Sequence, residues 1–144
     1  MCSVTIPDGS LEDWLSVLKP YQRSIIHAFI KSGTVEEAAE RWLGATGSPN
    51  IVPFGGARDT KPFWERFQAE FYKYLCDDSA YVEEKKAFAS ANSASKAMIV
   101  SGVSAALGAT IGFSATVLAP AVAILMFNVG KMGIRAYCAK DAQV

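Results

Sequence analysis

Apolar and polar positions along this chain follow two different rules. In the N-terminal part they alternate with a helical period. Leu11, Trp14, Leu15 and Leu18 share a face, as do Tyr21, Ile25, Ile26, Phe29 and Ile30, and then Val35, Ala38, Ala39, Trp42 and Leu43. A fourth set, Phe63, Trp64, Phe67, Phe71, Tyr74 and Leu75, is strongly aromatic, with Tyr72 at its edge. Spacings of three and four residues place such sets on one side of a helix. From Ala97 to Gly130 the alternation stops, and thirty-four residues pass without one charged side chain.

The boundaries are marked by capping chemistry. Ser10-Leu-Glu-Asp13 and Thr34-Val-Glu-Glu37 have the form of a capping box, in which a hydroxyl and a carboxylate satisfy each other's backbone N–H across three residues. Lys19-Pro20 breaks one helix and opens the next, Ser32-Gly33 ends that one, Gly44 ends the third, and Thr60 with Pro62 opens the fourth. Asp77-Asp78-Ser79 ends the aromatic helix and caps the next one. No Gly or Pro lies between Ser79 and Val100, which predicts one continuous helix running into the uncharged stretch. The expected fold class is all-α, with a small amphipathic helical head over 1–78 and a linking helix over 79–96. A Gly/Ala-rich apolar hairpin over 97–130 and a basic C-terminal tail over 131–144 complete it.

The uncharged run is too long for one upright membrane crossing, at about 51 Å as a helix against a hydrocarbon core of roughly 30 Å. Two short helices folded back on each other fit better. Gly112-Phe113-Ser114 and Ala119-Pro120 compete as the turn. The first is preferred, because the second leaves only ten uncharged residues before Lys131. Lys85, Lys86 and Lys96 precede the run, and Lys131, Arg135 and Lys140 come after it, so both flanks are expected on the same, cytoplasmic side. Lys96, Lys131 and Arg135 are the candidate interface anchors, with charged heads reaching the membrane surface.

Half of the run is Gly, Ala, Ser or Thr. Ser104, Gly108, Gly112 and Thr116 fall at four-residue spacing, and Ser101, Ala105 and Ala109 form a parallel row. Small residues on one face let helix backbones approach closely in lipid. The first row is the candidate helix-packing site, within one chain or between copies. The same composition also suits the buried centre of a soluble bundle, where Asn128 would sit more easily than against lipid.

Composition narrows the remaining choices. With 51% hydrophobic and 19% charged residues the chain can bury a core. Net charge is zero, with a balance of −2 over 1–96 and +2 over 97–144, which gives no electrostatic footprint for nucleic acid. Two helices around SGTVEEAAERWLG look somewhat like the start of a helix-turn-helix unit, but a Gly- and Pro-rich connection stands where a basic recognition helix is needed. Three cysteines, Cys2, Cys76 and Cys138, are an odd number without metal-ligand spacing. They are read as arguing against a disulfide scaffold or a metal site and for a reducing compartment. No signal peptide is read at the N-terminus. His27 is the single histidine, no nucleophile–base set can be assembled without it, and no cofactor is implied.

The expected function is therefore non-enzymatic. The leading expectation is a homo-oligomeric effector at the inner or cytoplasmic membrane, with head and C-terminus cytosolic, that perturbs or permeates the lipid bilayer under control of its head. The alternatives are an anchored adaptor that binds a protein partner through the head and the 44–62 loop, or a soluble helical interaction module.

Overall fold

The computed structural model describes residues 9–46, 61–77, 79–89 and 95–142. They are all-α, with no strand among them, in eight helices: α1 (Leu11–Leu15), α2 (Pro20–Lys31), α3 (Val35–Thr46), α4 (Lys61–Cys76), α5 (Val82–Ala89), α6 (Lys96–Ile111), α7 (Ala115–Met132) and α8 (Ile134–Ala142). The stretch Ile51, Val52, Phe54 of the expected contact loop lies outside the described residues.

Local chemistry sets the helix ends as the sequence predicts. Ser10 and Asp13 form a reciprocal box at α1. Thr34 and Glu37 do the same at α3, at 2.8 and 3.0 Å. Pro20 occupies the first turn of α2, where its missing N–H has no partner to lose. Two boundaries differ. α1 stops at Leu15, and Leu18 is buried from the adjoining turn rather than from the helix. α3 runs past Gly44 to Thr46.

The continuous linking helix is not formed. Ser95 has an extended backbone (φ −73°, ψ 162°), and its hydroxyl accepts the N–H of Met98, so α6 starts afresh at Lys96. Serine competes for backbone hydrogen bonds and prefers a cap to a helix interior. A break needs neither Gly nor Pro when a hydroxyl can supply the cap.

Packing centres on α7, which touches α1, α2, α3, α6 and α8. α4 crosses from α3 to α6 and α8, and α5 lies against α6. The amphipathic faces of α1–α4 and the apolar hairpin contribute to one contiguous core, running from Trp14 and Trp42 through Phe67 and Phe71 to Ile124 and Val129. Head and hairpin therefore share their buried surface.

Cys76 at the end of α4 and Cys138 in α8 are joined in a disulfide, with Cα atoms 5.6 Å apart and a sequence separation of 62. This corrects the expectation drawn from an odd cysteine count. Helix packing brings together two residues that no local spacing relates, and oddness only leaves Cys2 over. In the chain-entropy account, closing a loop of this length stabilises the fold by about 4 kcal/mol.

Four carboxylates tie the acid stability of the fold to pH. Asp13, Glu37 and Asp77 are held below their ordinary values chiefly by hydrogen bonds from the Ser10 and Thr34 backbones and the Ser79 hydroxyl, respectively. At Glu70, burial pushes upward but is outweighed by hydrogen bonds from Tyr81 and Lys73 and by the charges of Lys73 and Arg66. A depressed folded value means stability that is present above the unfolded value, near 3.8 for Asp and 4.5 for Glu, and lost as pH falls through the folded one. The urea midpoint should accordingly be flat from pH 7 to 5 and fall at pH 3. A fall already complete at pH 5 would contradict this assignment.

Candidate functional site: the hairpin and its sheath

The uncharged run forms α6 and α7, joined at Gly112-Phe113-Ser114. Gly112 adopts φ +97° as the cap of α6, the left-handed conformation that glycine takes without steric cost. Ser114 opens α7 by accepting from Val117 N–H. The preferred turn is thus the observed one, and Pro120 lies inside α7 rather than at its start.

That proline shapes the site. It has no N–H for the carbonyl four residues back, which is Thr116. Gln22, only 2% exposed on α2, supplies the missing donor: its Nε2 bonds to Thr116 O at 2.9 Å. Trp42 of α3 donates its indole N–H to the neighbouring Val117 O at 2.6 Å. The polar weak point of the most apolar helix is therefore covered by two side chains of the head. Sequence reading missed Gln22, although a proline interrupting an apolar helix is a signal that some donor must reach the orphaned carbonyl.

Along the middle of α7 no polar face exists. Ala121 to Met126 are six consecutive buried residues. α7 is the one helix among the described residues long and apolar enough to cross a membrane, and half of it is buried inside the molecule. α6, at 16 residues, is shorter.

The predicted packing row is divided. Ser104 and Gly108 are buried in α6, Gly112 is the helix cap, and Thr116 is exposed on α7 beyond the turn. Gly108 is required by the turn itself. Its carbonyl accepts the N–H of both Gly112 and Phe113, and a Cβ there would collide with Phe113 O. Ser104 and Thr116 come together instead as walls of a cleft of about 240 Å³, shared with Val17, Gln22 and Val100. The Ser104 hydroxyl is buried without a hydrogen-bond partner. The parallel row has the opposite fate: Ser101, Ala105 and Ala109 face outward, with Ala97 one step before them.

α4 clasps the hairpin from tip to base. Phe63 stacks on Phe113 of the turn, with ring centroids 4.5 Å apart. Farther along, Tyr74 meets Tyr81, and Phe71 and Tyr72 meet Tyr137 of α8. Tyr81 sits at φ +55°, a strained backbone for a bulky residue. Its hydroxyl donates to Glu70 Oε1 at 2.6 Å and lies 3.1 Å from Thr110 Oγ1, which ties α4 to α6. Burial first, and then Glu70, push that phenol up to about 12.

The basic flanks divide as well. Lys96 is half-buried, with its ammonium 5.4 Å from the Trp14 ring centroid. Lys131 is exposed in the last turn of α7, over Phe127 at 5.7 Å. Arg135 belongs to α8, beyond Gly133, and its side chain lies outside the described residues. Lys85, counted in the sequence among the membrane-facing flanks, is buried and donates to Asp77 O at 2.7 Å, closing the end of α4. No cluster of three or more metal-binding side chains occurs among the described residues.

Replacing Gln22 by Leu removes the donor to Thr116 O and the acceptor of Lys19 N–H while nearly preserving volume. The site is only part-buried, so the loss should be about 0.5–1.5 kcal/mol, the net worth of an ordinary hydrogen bond, read as a shift of the urea unfolding midpoint. A change below about 0.5 kcal/mol, within the ordinary scatter of surface substitutions, would show that the proline's carbonyl is satisfied some other way. No protein-family model, curated protein or solved structure matches this chain, so its function rests on the geometry alone.

Proposed function

We propose that this protein is a non-enzymatic, membrane-associated effector that carries its apolar hairpin inside its own head in water and releases it to a lipid bilayer. The observation that carries the reading is the position of α7, which is apolar all round from Val117 to Phe127 and central to the bundle. Such a helix must be surrounded by protein or by lipid. The amphipathic helices supply the first environment, and a bilayer would supply the second. α6 and α7 are about 24 and 27 Å long, so they suit a shallow or thinned hydrocarbon layer.

Homo-oligomerisation belongs to the same proposal, on a different surface from the one the sequence suggests. Gly108 and Ser104 are used within the chain, whereas Ala97, Ser101, Ala105 and Ala109 offer an outward row of small residues at helical spacing. In lipid that row would let a second hairpin approach closely. The disulfide holds the end of α4 and α8 together in water, so head and C-terminal helix would start on the same side of the membrane. A structural disulfide suits an oxidising compartment, and that side is proposed as the place of folding in preference to the cytosol.

A soluble helical interaction module is the second reading. It is favoured by the single core that joins head and hairpin. One substitution separates the two. Ala105 is exposed at mid-α6, so Ala105→Asp leaves the soluble fold intact but places a carboxylate in mid-membrane after insertion. At about 2.5–3.5 kcal/mol for a central charge, partition into anionic vesicles and dye release should both fall roughly 100-fold at unchanged thermal stability. Vesicle binding and release equal to the parent's would remove the bilayer reading.

A further inference from the structure

We infer that the Cys76–Cys138 disulfide is a redox latch on the hairpin, so that reduction by a dithiol frees α8 and with it the C-terminal end of α7. The inference rests on the proposed release of the hairpin to a bilayer, and it names what controls that release.

The bond is placed to do this. The loop it closes, 76–138, contains α5, α6 and α7, and so the whole uncharged run. At the end of the hairpin nearest the bond, α7 keeps Met126 and Val129 in the core, whereas the described side chains of α8 hold it by fewer contacts. α8 is joined to α7 through Gly133 at φ +95°, where an added Cβ would meet nothing within 4 Å. This is an open, glycine-made joint. On α4, α8 rests through the Tyr137 ring, edge-on to Phe71 and tilted on Tyr72, and through the Tyr72 hydroxyl donating to Cys138 O at 3.1 Å. Among the described side chains of α8, Ile134 is also half-buried against the core. A helix of 9 residues is too short to hold itself by its own hydrogen bonds. The disulfide is therefore the covalent part of a thin attachment.

It is also reachable. Cys76 and Cys138 are both half-buried rather than sealed in the core. A dithiol thiolate can attack one Sγ, breaking the Sγ–Sγ bond and forming a mixed disulfide. The second thiolate of the reagent then displaces that sulfur. The dithiol leaves oxidised, and its two electrons, with two protons, reside on the Cys76 and Cys138 thiols.

The consequences differ between the ends of the hairpin. The tip keeps the Phe63–Phe113 stack and the Gln22 and Trp42 bonds to α7, none of which depends on α8. Reduction should therefore loosen the hairpin from its base.

The test uses the full chain carrying Cys2→Ser, so that one cysteine pair remains, either oxidised or treated with dithiothreitol. Amide exchange is followed in buffer and dye release from anionic vesicles. A second chain that also carries Cys76→Ser and Cys138→Ser needs no reductant. On reduction, exchange in 126–142 should rise roughly tenfold or more while α2 and α3 keep their protection, as expected of a local opening. Dye release should rise at least as much, and the serine chain should match the reduced one. Unchanged exchange in 126–142 overturns the latch. So does protection lost uniformly along the chain, which would make the bond a plain staple. Substantial and equal dye release from oxidised and reduced protein also overturns it while leaving the bilayer reading in place. Selective loosening without release in either state upholds the latch as a conformational device and sinks the bilayer reading.

Discussion

The middle of the central helix has no side open to water. From Ala121 to Met126 every residue is buried, and the rest of the molecule is arranged around that requirement. α1, α2 and α3 cover one flank, α6 covers another, and α4 lies along the hairpin from its turn to its base. An amphipathic helix needs a partner on one face only, whereas this one needs partners all round. A small protein can provide them only by committing most of its helices to one core.

Pro120 adds a polar demand to the apolar one. It leaves a carbonyl of α7 without its helical partner, and the sheath answers with Gln22, while Trp42 reaches the next carbonyl. The contacts that hold the hairpin are thus of unlike kinds: directional bonds and aromatic stacking at its tip, and a covalent bond, aromatic contacts and buried Met126 and Val129 toward its base. Removal from the head does not cost the same at each point.

Much of the helical framework was legible in the chain, because it depends on neighbours. Both capping boxes, the proline at the start of α2, the glycine turn of the hairpin and the aromatic stripe of α4 arise from residues within a few positions of one another. The error at Ser95 has a local cause too. The absence of Gly and Pro predicts continuity, whereas a serine hydroxyl is enough to start a new helix.

What the sequence settled by itself is the all-α class, the capped helix starts and most of the residues that share an apolar face, since hydrophobic period and capping act over three or four residues. Tertiary structure alone decided the partners. It paired Cys76 with Cys138 across 62 positions, turned Lys85 inward onto Asp77, and split the small-residue row at Gly112. It also set Gln22 against a carbonyl 94 residues away. Those choices depend on how whole helices cross, and crossing is fixed by the shape of every packed face together, so no single stretch of the chain contains it.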